Sequence, residues 1–154
     1  MQQSFKEIKP TLFVVSTPIG NLSDMTFRAI EILNQVDVIV CEDTRHSIKL
    51  LKHFDINKPL LSYHAYSNEA KEDHIIDLLH QEKHIALISD AGTPGISDPG
   101  YAVINKAIDA GYHVVSIPGA SAILSALISS GLVIQPFTFI GFLPRKQSER
   151  TELL

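Results

Sequence analysis

Residues 84–100 read HIALISDAGTPGISDPG, and the change of character halfway along this stretch decides the fold. Its first part, residues 84–89, is apolar on consecutive positions instead of alternate ones, the pattern of a strand covered on both faces in a parallel sheet. The rest, residues 89–100, places three glycines and two prolines in twelve residues. A plain connection of about two to six residues has no use for so much special backbone geometry. Ligands bind outside the carboxyl ends of the strands in open parallel sheets, so a rigid loop directly behind a buried strand reads as a ligand loop. Pro99 behind Asp98 suits the first position of a following helix.

The same alternation extends in both directions. Runs at residues 12–16 (LFVVS), 36–41 (VDVIVC), 113–117 (HVVSI) and 137–141 (FTFIG) predict further strands, and residues 59–62 are a candidate for a short extra one. Helical spacing lies between them. Phe27, Ile30 and Leu33 mark one helix, with Ser23 or Asp24 as its cap. A second is expected over residues 45–54. Ile75, Leu78 and Leu79 mark a third, starting near Ser67 or Asn68. Val103, Ala107 and Ile108 mark a fourth that ends at Gly111, and Ile123, Leu124, Leu127 and Ile128 a fifth that ends at Gly131. The expected architecture is α/β, an open, mainly parallel five-stranded sheet with helices on both faces. One domain is expected over residues 1–143. Residues 144–154, polar after Leu143-Pro144, read as a linker and the start of a second domain absent from this chain; a frayed tail is the other reading.

With 154 residues, 45% of them hydrophobic and 19% charged, the composition is that of a globular domain. No apolar run approaches the ~18 residues of a membrane span. The start, MQQSFKEIKP, has no basic segment leading into an apolar core. The single cysteine, Cys41, fits a reducing compartment and reads as an inert, buried small hydrophobe. The expectation is a soluble, cytoplasmic protein. A net charge of −4 argues against a self-sufficient nucleic-acid binder, although a basic surface on another domain or a dimer partner stays open. Arg145, Lys146 and Arg150 read as a solvated terminus. There is neither a GxxxxGK[ST] phosphate loop nor a GxSxG elbow. The scattered histidines give no zinc spacing, so no metal is expected.

Three other loops follow strands. Thr17-Pro18-Ile19-Gly20-Asn21 has a single glycine where the dinucleotide fingerprint needs three; alone, it reads equally as a plain turn. Glu42-Asp43-Thr44-Arg45-His46 reads as a helix start capped by Asp43 or Thr44, with Arg45 neutralising the acids. It reads equally as a polar cleft wall, in which Asp43 accepts a proton and Arg45 clamps a phosphate or carboxylate. In Pro118-Gly119-Ala120-Ser121-Ala122, small residues allow either tight helix packing or the close approach of a flat ring such as adenine.

Taken in order, LFVVSTPIGNLSDMTFRAIEIL, VDVIVCEDTRHSIKLL, ISDAGTPGISDPG, SIPGASAILSAL and FIGFLPRK resemble the tetrapyrrole methylase superfamily. Within it they are most similar to the ribosomal RNA small-subunit methyltransferase I family. That resemblance implies a homodimeric, two-domain enzyme that uses S-adenosyl-L-methionine to methylate a cytidine ribose 2′-hydroxyl in small-subunit ribosomal RNA, without a metal. It places Pro18 and Ile19 in the first cofactor loop, and Gly92, Thr93, Pro94 and Ile96 in a loop contacting methionine and adenosine. Ser121 and Ala122 fall on the adenine side. Thr93 stands where relatives carry an aspartate, and Gly95 where a bulkier apolar residue is common, a change expected to loosen the loop. Methyl transfer chiefly needs alignment of donor and acceptor, and a ribose hydroxyl gains from a proton acceptor; Asp43 is the candidate, with Arg45 holding a phosphate. Half of the cleft would be missing, so this chain alone is expected to be inactive. Ile134 and Phe137 are candidate dimer contacts. A tetrapyrrole or diphthine-type methyltransferase is the nearest alternative, which the EDTR and ISDPG stretches oppose. A non-catalytic α/β nucleotide-binding module is the other.

Overall fold

In the computed structural model, which describes residues 9–64 and 69–153, five strands lie in one sheet. They are β1 (Thr11–Val15), β2 (Val38–Cys41), β3 (Leu60–Ser62), β4 (Ile85–Ile88) and β5 (His113–Ile117). Their order is β3-β2-β4-β1-β5, and every neighbouring pair is parallel. β4 is buried at all four positions, as its uninterrupted apolar run requires.

Helices α1 (Phe27–Gln35), α2 (Thr44–His53), α3 (Glu69–His80) and α4 (Tyr101–Asp109) connect successive strands. Right-handed crossovers put helices that travel in opposite directions along the sheet on opposite faces, and the core divides accordingly. On one face Ala29 and Leu33 of α1 and Leu51 of α2 pack with Val15, Ile39, Ala86 and Ile117. On the other, Ile75 and Leu79 of α3 and Val103 and Ala107 of α4 pack with Leu12, Val40, Ile85 and Leu87. The expected α/β sheet with helices on both faces is the observed one.

Several local expectations are corrected. Residues 137–141, expected as a strand, join no ladder among the described residues, and Phe137, Phe139 and Ile140 are about half exposed. Aromatic and β-branched residues supply propensity, but a strand exists only where a neighbour accepts its hydrogen bonds. The fifth strand is instead the short run at residues 60–62, which pairs with β2. Thr26, not Ser23 or Asp24, caps α1, accepting from the Ala29 amide at 3.1 Å; Ser23 and Asp24 lie in a preceding 3-10 turn capped by Asn21. Phe27 is 87% exposed, because the buried stripe advances through Met25, Ala29, Leu33 and Val36, close to the i, i+4, i+8 repeat that stays on one helical face. The expected start of α3 near Ser67 or Asn68 lies outside the described residues.

Pro99 does not begin α4. The helix starts at Tyr101 behind Gly100, whose φ is +141° and whose added Cβ would lie 3.0 Å from Leu87 Cδ2. Backbone angle and space both demand glycine there. Ile108 is exposed, so the inner face of α4 is carried by Val103 and Ala107.

The chain divides into two compact units, Met1–Ala122 and Ile123–Leu154. The second holds most of α5 (Ala122–Ser129) and α6 (Gln147–Leu153), the latter within the segment expected to open a second domain. No residue of α5 is buried, and Leu124 and Ile128 are more than half exposed. No helix among the described residues is long and apolar enough to cross a membrane.

Candidate functional site

At the carboxyl edge of the sheet, β2 leads through α2 to one side and β4 leads through α4 to the other. These two strands are neighbours, so their loops diverge and open a crevice between them. The Asp43 amide donates to Asp90 Oδ1 at 3.3 Å across this gap. A cavity of about 220 Å³ on one side is lined by Pro18, Gly20, Leu22, His46, Lys49, Leu50 and Asp90. A wider groove of about 410 Å³ is lined by Glu42, Asp43, Thr44, Arg45, Ser62, His64 and Asp90.

The structure binds three of the four sequence-selected loops to one another. Thr17 and Gly92 exchange backbone hydrogen bonds, at 2.9 Å from the Thr17 amide and 3.2 Å from the Gly92 amide. The hydroxyls of Ser16 and Thr93 share a hydrogen bond of 2.8 Å. Ser89 Oγ donates to Gly92 O at 3.2 Å, tying the long loop back to the end of β4. The third loop joins through close packing: a Cβ added at Gly119 would stand 2.8 Å from Ser16 Cβ. Pro18, Ile19, Gly92, Thr93 and Pro94 thus belong to one hydrogen-bonded assembly, with Gly119 against it and Ser121 and Ala122 just beyond. Pro18, Gly92 and Pro94 are buried, whereas Ile19 and Ile96 expose apolar surface. Gly95 adopts φ +83°, with only 3.1 Å between its ideal Cβ and Ile104 Cδ1. Glycine here gives a specific turn, not the loosened loop expected from its small size.

The fourth loop faces the crevice from β2. Asp43 caps α2, its Oδ1 accepting from the Arg45 amide at 2.8 Å. The Arg45 guanidinium also closes on that carboxylate, with Nε donating to Oδ1 at 3.1 Å and Nη2 to Oδ2 at 2.7 Å. This fork holds the Asp43 carboxyl at about 2, well below the usual carboxylate range. Both readings of EDTRH, cap and charged wall, therefore describe the same pair of side chains. Glu42 is different. Burial, then the carboxylates of Asp90, Asp98 and Asp43, push its carboxyl above the ordinary value. Neither Glu42 nor Asp90 is among the residues selected from the sequence; they stand one and two residues beyond the ends of β2 and β4, and that position is the signal by which they were legible. Cys41 is fully buried, and burial pushes its thiol up, as suits an inert residue. Among the described residues no cluster of three or more His, Cys, Asp or Glu is arranged to hold a metal.

Parallel strands, crossovers on both faces and a crevice at the carboxyl edge define an open, doubly covered α/β domain. The chain belongs to the family described as Tetrapyrrole (Corrin/Porphyrin) Methylases, whose pattern matches residues 11–154. It is 52% identical to Ribosomal RNA small subunit methyltransferase I of Halalkalibacterium halodurans, over 99% of this chain and 54% of that protein. The protein of the same name from Bacillus subtilis is 52% identical over 93% of this chain and 49% of its own length. The chain thus spans about half the length of the curated relatives it matches. Solved structures of the same fold include a uroporphyrin-III-C-methyltransferase from Thermus thermophilus, with a TM-score of 0.59 and 19% identity over 81% of this chain and 53% of the other. A conserved hypothetical protein from Aeropyrum pernix K1 reaches a TM-score of 0.65 at 19% identity, over 86% of this chain and 46% of the other.

Proposed function

We propose that this chain is the cofactor-binding half of an S-adenosyl-L-methionine-dependent methyltransferase that acts on a cytidine ribose 2′-hydroxyl in small-subunit ribosomal RNA. The observation that carries this reading is the assembly of the β1, β4 and β5 loops beside the Glu42–Asp90 crevice. Residues 16–20, 89–97 and 117–122 contain no Lys, Arg or His, and Asp90 is their one ionisable side chain. These three loops present acid and no cation, which suits a sulfonium; the basic side chains of the adjoining cavity, His46 and Lys49, come from α2. Exposed Ile19 and Ile96 offer apolar surface to a purine, and small Ser121 and Ala122 leave space beside it.

When bound, S-adenosylmethionine supplies the methyl group as an electrophile on sulfur. Pro18, Ile19, Gly92, Thr93, Pro94, Ile96, Ser121 and Ala122 would hold it. Thr93 is engaged with Ser16 and adds no charge. Asp43, already bound by Arg45, is a weak base, and its part is to orient that guanidinium toward a substrate phosphate. Glu42, with its carboxyl raised by burial and neighbouring acids, takes the hydroxyl proton, since a general base works best with a pKa nearer the operating pH. The names and identities of the relatives favour ribosomal RNA over a tetrapyrrole or diphthine. The protein works in the cytoplasm as a homodimer, and Ile134 and Phe137, which line an apolar pocket of about 370 Å³ within the second unit, contribute to self-association.

The test is a titration of S-adenosylhomocysteine followed through backbone amides by two-dimensional NMR. Saturable shifts at Gly20, Gly92, Gly95 and Gly119 are expected. Absence of binding both here and in a chain extended to the relatives' full length refutes the methyltransferase reading. In that longer chain, methyl transfer to small ribosomal subunits and none to precorrin-type substrates is expected; the reverse moves the assignment to a tetrapyrrole enzyme.

A further inference from the structure

The helix behind the crevice carries an unusual charge pattern. α2, TRHSIKLLKH, contains Arg45, His46, Lys49, Lys52 and His53 and no acidic residue. At 100° per residue these five fall within an arc of about 120°. Ser47, Leu50 and Leu51 face the core instead, and all five basic residues are exposed. The stripe has a definite beginning, because His46 and Lys49 line the cavity beside Pro18, Gly20 and Asp90. From there it follows the helix away from the carboxyl edge of the sheet to His53, over about 10 Å at 1.5 Å per residue.

Two lysines elsewhere in the chain are paired. Lys106 lies 2.6 Å from Asp73 and within 4 Å of Glu69 and Glu72. Lys146 lies 3.1 Å from Glu149. Lys49 and Lys52 have no carboxylate within ion-pair distance among the described residues; Lys52 stands in the last turn of α2, beside the helix's negative end. In a chain of net charge −4, a basic face on which Lys49 and Lys52 lack a carboxylate partner, headed by Arg45 paired to Asp43, is a local attraction for a polyanion where it meets the crevice.

We propose that the exposed face of α2 formed by His46, Lys49, Lys52 and His53, with Arg45 at its head, is the track on which the sugar-phosphate backbone of the RNA substrate approaches the crevice. This rests on the RNA methyltransferase reading above and adds the surface that receives the substrate. Net charge pointed away from a self-sufficient nucleic-acid binder; the track is a short local contact that engages two or three phosphates, enough to set direction. Because such contacts release counterions, each phosphate neutralised on a single strand contributes about −0.7 to the slope of log K against log salt.

The experiment measures binding of a labelled single-stranded RNA oligonucleotide of mixed sequence to this chain across a salt series. Lys49→Gln/Lys52→Gln is expected to weaken binding and to reduce the salt slope by about 1.4, two contacts' worth. Lys83→Gln, in the turn before β4 at the opposite edge of the sheet, leaves the slope unchanged. An unaltered slope in the double variant overturns the track, as does wild-type chain that binds no RNA. Polyglutamate competing as well as RNA, with the same lysine dependence, also overturns it in favour of an acidic protein partner. The S-adenosylhomocysteine titration is run on the same samples. Retained cofactor shifts with an unaltered slope remove the track and leave the methyltransferase reading in place. Lost cofactor shifts in every sample, with a lysine-dependent slope, do the reverse.

Discussion

Replacing Gly119 with alanine tests whether the loops behind β1 and β5 form one unit. The added Cβ would stand 2.8 Å from Ser16 Cβ and 3.4 Å from Ser16 O. Ordinary carbon contacts lie near 3.5–4.0 Å, so one of the loops must retreat by nearly 1 Å. Overpacking of this kind costs about 1–3 kcal/mol. At about 2–4 °C per kcal/mol for a chain of this size, thermal unfolding should move down by about 2–12 °C. The retreat also carries Ser16 away from Thr93, stretching a hydrogen bond of 2.8 Å that holds the long loop. Misplacement by about 1 Å can cost a site ~10²-fold, so S-adenosylhomocysteine affinity should fall more steeply than stability alone implies. A double-mutant cycle isolates the contact. Ser16→Gly loses the Thr93 hydrogen bond, worth about 1 kcal/mol, but removes the atom with which the methyl group introduced by Gly119→Ala would collide. Ser16→Gly/Gly119→Ala should therefore be more stable than the two single effects added together, by at least about 1 kcal/mol. Strict additivity, or a Gly119→Ala protein with unchanged unfolding temperature and ligand affinity, refutes the reasoning.

Two further expectations concern the acidic wall of the crevice. In a chain extended to the relatives' full length, Glu42→Gln should lower kcat by about 10²–10⁴, the range of general-base assistance, with cofactor affinity unchanged. Wild-type turnover should decline as pH falls through the raised value of Glu42. Asp43→Asn preserves a good helix cap but releases Arg45, so KM for RNA should rise while kcat largely survives; the opposite division between the two variants returns the proton to Asp43. Asp43 also affects acid stability: its carboxyl is lowered from 3.8 to about 2 in the folded protein. Its contribution is complete above the unfolded value and is lost as pH falls through the folded one. Denaturant titrations from pH 5 to pH 2 should show this loss in the wild type and its reduction in Asp43→Asn; parallel curves refute it.

The buried strands were legible because a parallel strand covered on both faces writes its environment into consecutive residues, as IALI does at residues 85–88. Residues 137–141 carry the same local writing without a neighbour, and residues 60–62 carry too little of it although β2 supplies one. Propensity belongs to a segment, and pairing belongs to the whole chain. The loops of the site could likewise be located, since each follows a strand. Their mutual attachments could not: Thr17 meets Gly92 and Ser16 meets Thr93 across more than seventy residues. The contrast between Glu42 and Asp43, adjacent in sequence, was hidden in part for the same reason, since burial of Glu42 beside distant carboxylates is a property of the folded chain. It depends on Asp90 and Asp98 on one side and on the closure of Arg45 on the other.

The strand order has a consequence for how the chain is made. Leu12 pairs with Ile85 and Thr11 with His113, so the first strand synthesised is also the one whose partners emerge last. At about 5–20 residues per second, the LFVV segment waits roughly 4–15 s for β4 to follow it from the ribosome. During that interval β2 and β3, paired through Ile39 and Leu60, can meet without it. On this order β1 can pair with β4 once β4 has emerged, and β5 adds last, beside β1 at the far edge. A nascent chain of this topology carries an unpaired, largely apolar strand through most of its synthesis. Its yield in the cell should depend on holdase chaperones more than its final stability alone would suggest.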